Sequence, residues 1–335
     1  MPPTFPLYTF SLTLTVHLVD ASSASHVYER LADVLQSSTN ITPYIFGISH
    51  RAVDIGAFAN IWTASFNGAK VALKTMRIIS SSSSTSRIND FLRELHILEQ
   101  LRHPNVLQLC GVCIHEPYGL ALVSPWMEHG NVEAYLRMTP DAHRSSLILD
   151  VAQGLSHLHS MQPPVVHGGL RARNILIRPS GEACIAGFSF AHELIEVEES
   201  EVSEPKEIAY SSVRWLPPER LFPENYGLTE ITSSTCAADI YSLAILMLEM
   251  FSGLKPFHEI ENHIVVLRMI ERGERPSHPG NEASQRGLCD SMWDVMQDCW
   301  KERCTERPII SDTVDAVKAL VHATGASVAS LDADT

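Results

Sequence analysis

Apolar and polar positions along the chain follow two periods, and the periods come in separate blocks. From Phe10 to Leu18 apolar residues alternate with Ser11, Thr13, Thr15 and His17, the two-residue period of a half-buried strand. The alternation returns between Gly47 and Lys74, on both sides of the turn dipeptide Asn67-Gly68, and its last part is Val71-Ala72-Leu73-Lys74. A further strand is expected from Ala121, ending at Pro125. Elsewhere the period is helical. Phe91, Leu95, Leu98 and Leu101 put one apolar face on a helix that Pro104 prevents from continuing, and Leu147, Val151, Leu155 and Leu158 do the same for a longer helix that ends near His159. A serine run at Ser80–Ser84 reads as a flexible connection before the first of these helices.

Composition narrows the class without naming a function. At 335 residues, 45% hydrophobic and 19% charged, the chain can bury a sizeable core. Lys and Arg number 25 against 39 Asp and Glu, a net charge of −14, which argues against general binding to nucleic acid or to an anionic membrane. Seven cysteines without a secreted-framework spacing imply reduced thiols and a cytoplasmic setting. Cys110 and Cys113 form a lone Cys-x-x-Cys with no second ligand pair nearby, so strand positions explain them better than zinc or redox chemistry. A signal peptide over the first residues lacks the positive start such peptides carry, and the segment is too short and too rich in Ser and Thr to span a bilayer. Glu193, Glu196, Glu198, Glu199, Glu201, Glu204 and Glu207 read as a solvated, mobile run.

The chemistry-bearing stretch is Val165 to Ile177, which contains His167-Gly168-Gly169-Leu170 and, four residues on, Asn174. It resembles the catalytic loop of protein kinases, His-Arg-Asp-Leu-x-x-x-Asn, with Gly168 at the Arg position and Gly169 at the Asp position. Eighteen residues beyond Gly169, Ala186-Gly187-Phe188-Ser189 resembles the Asp-Phe-Gly motif, with Gly187 in place of the metal-binding Asp. Val71 to Lys74 resembles the strand carrying the phosphate-holding lysine, and Glu94 stands where its helical partner belongs. Gly56 is the one glycine kept from the loop that covers phosphates, since Asp54 and Ala59 occupy the first and third glycine positions; an acid at 54 would repel a triphosphate. Trp215 to Glu219, Ala238 to Leu243, and Cys299-Trp300 with Arg307-Pro308 resemble the framework of the larger kinase lobe, with Glu219 and Arg307 as an ion pair. The resemblance covers about 43–322 and leans toward tyrosine-kinase-like and tyrosine kinases. Arg171-Ala172-Arg173 is tyrosine-kinase-like, while other stretches match serine/threonine members equally well.

The resemblance implies an α+β, two-lobed fold. A small antiparallel sheet with one helix is expected over 43–127 and a larger, mainly helical lobe over 128–322, after an extension at 1–42 and before a disordered tail at 323–335. It also implies an adenine site made by Gly56, Ile61, Ala72, Lys74, Ser124, Trp126, Met127, Asn174 and Leu176, with Pro125 unable to offer an amide hydrogen. Lys74, Glu94 and the degenerate Gly169 mark the catalytic positions, and Asn174 is the surviving metal-ligand position. Loss of a placed general base removes roughly 10² to 10⁴ in rate, and loss of the second carboxylate takes away the main protein ligand of Mg²⁺. The expectation is therefore a pseudokinase that acts as a signalling scaffold or regulator, with weak or metal-independent ATP binding and a doubtful Mg²⁺ site. The alternative is an active kinase that uses substitutes such as His192 or Glu193. The implied partner is another protein, and the sequence carries no reading of oligomeric state.

Overall fold

The computed structural model describes residues 29, 31–37, 39–55, 59–76, 84–115, 119–194 and 210–331. The expected strand at 10–18, Gly56, the serine run at 80–83 and most of the acidic run, 195–209, lie outside the described residues. The first part of the chain forms a sheet from β1 (Ile45–Phe46), β2 (Asp54–Ile55), β3 (Ala59–Phe66), β4 (Ala69–Met76), β5 (Gly111–His115) and β6 (Gly119–Pro125). Its order is β1-β3-β4-β6-β5, with β2 also pairing β3 and all neighbours antiparallel. Asn67 and Gly68 close the β3–β4 hairpin at φ 50° and 79°, the positive values a tight two-residue turn needs and an Asn-Gly pair accepts at low cost.

Along β4 the pleat sorts the side chains. Val71, Leu73 and Thr75 are buried on one face, while Ala72, Lys74 and Met76 are half-buried on the other. The first face closes a small core with Ile41, Ile45, Ala64, Cys113, Ala121 and Val123. Helix α1 (Ser84–Gln100) brings Phe91, Leu92, Leu95 and Leu98 into the main core, as its spacing predicts. Cys113 is buried in β5, where burial pushes its thiol up to about 12. The far edge of the sheet is covered by the chain just before β1. Ile41 N–H donates to Val112 O at 2.9 Å and Val112 N–H to Thr39 O at 2.8 Å, so residues assigned to an extension contribute to the sheet.

The second part is mainly helical: α2 (Val132–Met138), α3 (Arg144–His159), α4 (Pro218–Leu221), α5 (Cys236–Ser252), α6 (His263–Glu271), α7 (Asn281–Gln285), α8 (Asp290–Cys299) and α9 (Ile310–Leu331). Two short strand pairs lie between α3 and α4. They join β7 (Val165–Val166) to β10 (His192–Glu193) and β8 (Ile175–Ile177) to β9 (Ala183–Ile185). Every residue of α5 from Ala238 to Phe251 is buried, so this helix is the axis on which the larger part is packed. Its two buried acids, Asp239 and Glu249, therefore need partners, and both find them in the loop between β7 and β8. The small sheet with one helix, followed by a larger helical part, is the α+β arrangement expected from the sequence. Helix α9 runs to Leu331, through the first residues of the segment expected as a tail from 323. Alanines at 319, 323, 326 and 329 favour helix strongly enough to carry Gly325, whose cost is only about 1 kcal/mol. Among the described residues no helix is long and apolar enough to cross a membrane.

Candidate functional site

Sheet register brings several candidate residues to one face. Ile61 pairs with Lys74, and Ala72 with Ser124; in antiparallel pairs such partners project to the same side. On that side Lys74 Nζ lies 2.5 Å from Glu94 Oε1, joining β4 to α1 as expected from the sequence. A third group completes the contact. Lys74 donates to Ser189 Oγ at 2.8 Å, and the Ser189 hydroxyl donates to Glu94 Oε2 at 3.3 Å. Ser189 thus links the sheet, the helix and the segment following β9, at a position where the motif it resembles has a glycine without a side chain.

Where β6 leads into the larger part, Trp126 N–H donates to Lys70 O at 3.1 Å and Lys70 Nζ sits 4.6 Å from the centre of the Trp126 ring. The Trp126 amide, on a residue expected to meet a purine, is therefore engaged within the protein. Met127 itself is buried, and its carbonyl accepts from Gly130 N–H at 3.0 Å. Leu176 is half-buried in β8, on the face opposite its fully buried neighbours Ile175 and Ile177.

The loop between β7 and β8 is fixed from below by α5. Asp239 accepts from His167 N–H at 2.7 Å and from Gly168 N–H at 2.9 Å, and its Oδ2 lies 3.1 Å from His159 Nε2. Burial works against the charge of His159, yet hydrogen bonds to Asp239 and Cys236 raise it to about 9. The same imidazole holds Asp239 below the usual carboxylate range despite complete burial. His167 is buried, which keeps its pKa low; its Nε2 lies 3.0 Å from Ala186 O and its ring packs edge-on against Phe188 at 5.1 Å. Further along, Ala172 N–H and Trp215 Nε1–H both donate to Glu249 Oε2, at 2.8 and 2.9 Å, while burial pushes Glu249 up to about 7. The Glu219–Arg307 pair forms as expected, two-pronged at 2.6 and 2.8 Å.

The two degenerate positions differ in the space around them. Gly187 is left-handed, at φ 80° and ψ 48°, and a Cβ there would lie 2.6 Å from Asn174 Cγ and Oδ1. Asn174 has turned into that space, and its Nδ2 donates to Gly169 O at 2.6 Å. At Gly169 a Cβ would meet Phe190 Cδ2 at 3.5 Å, an ordinary contact. Asn174 offers one amide oxygen where a divalent cation needs several oxygens, carboxylates among them. With Gly187 at the carboxylate position and the neutral Asn174 amide bonded to Gly169 O, the residues present there supply no carboxylate, so this donor set does not fit Mg²⁺. The proposed substitutes are engaged elsewhere. His192 Nε2 lies 3.3 Å from Ser234 O, and Glu193 accepts from Gln100 Nε2 at 3.0 Å.

Two contacts at this site went unread in the sequence: the one Ser189 makes with Lys74 and Glu94, and an ion pair between Asp54 Oδ2 and Arg173 at 3.5 Å. The pair joins β2 to the loop before β8, so Asp54, expected only to repel phosphate, has a cation of its own.

Comparison with known proteins adds an independent observation. The family profile described as protein tyrosine and serine/threonine kinase matches residues 48–317. The chain is similar to the serine/threonine-protein kinase TNNI3K of Mus musculus, 28% identical over 231 residues, which are 68% of this chain and 26% of that protein. Similarity to the serine/threonine-protein kinase CTR1 of Arabidopsis thaliana is 25% over 275 residues, covering 80% of this chain and 31% of that protein. For the tyrosine-protein kinase SRK3 of Spongilla lacustris it is 26% over 280 residues, covering 81% and 74%. The matched stretch thus spans about a quarter to a third of the first two relatives.

Proposed function

The chain belongs to the protein tyrosine and serine/threonine kinase family, and from that premise we propose that it is a pseudokinase, a binding and scaffolding module in which the phosphoryl-transfer step is lost. One observation carries the reading. The Asn174 side chain fills the volume at Gly187 in which a metal-binding carboxylate would begin, and it is tied to the carbonyl of Gly169, where the catalytic carboxylate would stand. Phosphoryl transfer depends on positioning and charge stabilisation, and this arrangement offers neither a base nor a metal cage. ATP, if held, rests on Lys74 and on the apolar positions Ile61, Ala72 and Leu176, with weak affinity and no help from Mg²⁺. The module acts on a protein partner in the cytoplasm.

The rival reading, an active kinase, draws support from the closed Lys74–Glu94 pair. It needs a replacement carboxylate, and the contacts of His192 and Glu193 with Ser234 and Gln100 favour the first reading. Incubation of purified protein with radiolabelled ATP and a generic protein substrate tests the choice, with Lys74→Met as control. Incorporation no higher than in the control is expected; reproducible incorporation above it would refute the pseudokinase reading.

A further inference from the structure

A cavity of about 440 Å³ opens between the loop that carries Arg171 to Arg173, helix α2 and the C-terminal end of α5. That volume is in the range of small-ligand pockets, and none of the residues expected at the adenine site lines it. Six cations do, Arg137, Arg144, Arg171, Arg173, Lys255 and Arg286, against three acids, Glu133, Glu249 and Glu282. The chain as a whole has the opposite balance, a net charge of −14. Burial also pushes Glu249 up to about 7, so near neutrality it carries only part of a charge, and it already accepts from Ala172 N–H and Trp215 Nε1–H.

Two of the cations serve the fold. Arg144 donates to Met250 O at 3.0 Å and Arg286 to Ser252 O at 2.6 Å, so they cap the last turn of α5. The others are less committed. Arg171 is half-buried, with its guanidinium 6.0 Å from the centre of the Trp215 ring, and among the described residues nothing hydrogen-bonds it. Arg173 lies close enough for the two like charges to oppose each other. Arg173 and Arg137 have exposed acid partners, Asp54 at 3.5 Å and Glu133 at 3.8 Å, contacts that a stronger anion displaces at little cost. Lys255 is exposed. Leu136, Trp215, Met250 and Leu254 make an apolar wall beside these charges, and Leu254 is 48% exposed.

We infer that this cavity binds a phosphorylated segment of a partner protein, with Arg171 at its floor and Arg137, Arg173 and Lys255 at its rim. A phosphorylated residue brings about −1.5 to −2 charges on three acceptor oxygens, which guanidinium forks match. Its neighbours in the peptide supply the contacts for Leu254 and Trp215. A free phosphate ion leaves that wall unused, and an unphosphorylated apolar peptide leaves the cations unpaired. The inference rests on the scaffold reading for the existence of a partner and deepens it by naming the partner's chemistry.

Binding of the purified chain, without ATP, to degenerate peptide libraries tests it, each library having phosphoserine, phosphotyrosine or unmodified serine fixed at its centre. A phosphorylated library is expected to bind about tenfold more tightly than the unmodified one. Arg171→Gln should remove most of that preference. Arg137→Gln, on an exposed side chain whose loss leaves the core intact, should weaken it severalfold, and Lys70→Gln, outside the cavity, should leave it unchanged. Equal binding of all libraries would overturn the inference, as would a preference that survives both arginine variants or falls equally in Lys70→Gln. Competition with inorganic phosphate and with inositol hexakisphosphate separates the sources: either one displacing the peptide at an equal concentration would assign the cavity to a small soluble phosphate and refute the peptide. No arm contains ATP, so the docking site can fail while the pseudokinase reading stands, and phosphate incorporation in a separate assay would leave the docking site untouched.

Discussion

A Cβ placed on Gly187 would stand 2.6 Å from both Cγ and Oδ1 of Asn174, inside any real contact distance. The glycine and the asparagine are therefore fitted to each other, and restoring an acid at 187 means moving the amide. Because Asn174 also holds Gly169 O at 2.6 Å, moving it leaves a loop carbonyl without its partner.

Gly187→Asp should accordingly destabilise the fold by about 1–3 kcal/mol, through overpacking and a left-handed backbone that suits glycine best. Asn174→Ala in the same chain should recover much of that cost, because it removes the obstructing atoms. Gly169→Asp, where a Cβ meets only ordinary contacts, should change stability far less. Urea unfolding of the two single variants and the pair measures all three. A Gly187→Asp cost that Asn174→Ala does not reduce would refute the fit.

The Lys74–Glu94–Ser189 contact makes a second prediction. Glu94 is buried, so Lys74→Met leaves a carboxylate with only a hydroxyl partner and should cost about 1–3 kcal/mol. The double variant Lys74→Met, Glu94→Leu removes both charges and should be more stable than Lys74→Met alone. Thermal unfolding of the apo proteins compares them, and equal stability of the single and double variants would mean that the pair contributes no specific coupling.

Lys74 and Glu94 were legible because each lies in a periodic stretch, one strand and one helix, whose faces the sequence defines. The Asn67-Gly68 hairpin was legible because only a few residue types accept two successive positive φ values. Ser189 was not, since 115 residues separate it from Lys74 and no local pattern tells where an isolated hydroxyl will point. Asp54 was read by its charge alone, and its partner Arg173 lies 119 residues away. At the chain's margins the difficulty was cooperativity. Residues 39–42 show no strand period and gain their order by pairing with β5, while α9 continues past Gly325 because one unfavourable residue does not stop an established helix.

Arg307 and Glu219 are almost wholly buried, with side chains 0% and 2% exposed, and two parallel hydrogen bonds join them. Arg307→Ala should cost about 3–5 kcal/mol, since it strands a carboxylate in the core of the larger part. Arg307→Lys keeps the charge but loses the fork, so it should lie between Arg307→Ala and the unaltered chain. Urea midpoints of the three proteins give the order, and a lysine variant as stable as the parent would show that charge alone suffices.

The His159–Asp239 contact predicts how stability depends on pH. His159 rises to about 9 in the fold from its ordinary 6.5, so between those values the folded chain binds a proton that the unfolded chain releases. Its stabilising contribution is complete below 6.5 and is lost as pH climbs through 9, with a slope of up to about 1.4 kcal/mol per pH unit. Glu249, raised to about 7, adds a decline of the same sign, but that decline ends near neutrality. Above about 8 the buried thiols of Cys113, Cys184 and Cys299, raised by burial, add a further decline as the unfolded chain releases their protons, so the interval from about 7 to 8 isolates the histidine. His159→Gln should flatten the stability profile across that interval and lower stability at neutral pH, because Asp239 then loses the cation that offsets its burial while still holding His167 and Gly168. Unfolding free energies measured at several pH values for both proteins test it; a decline that survives unchanged in His159→Gln would assign the proton to another group.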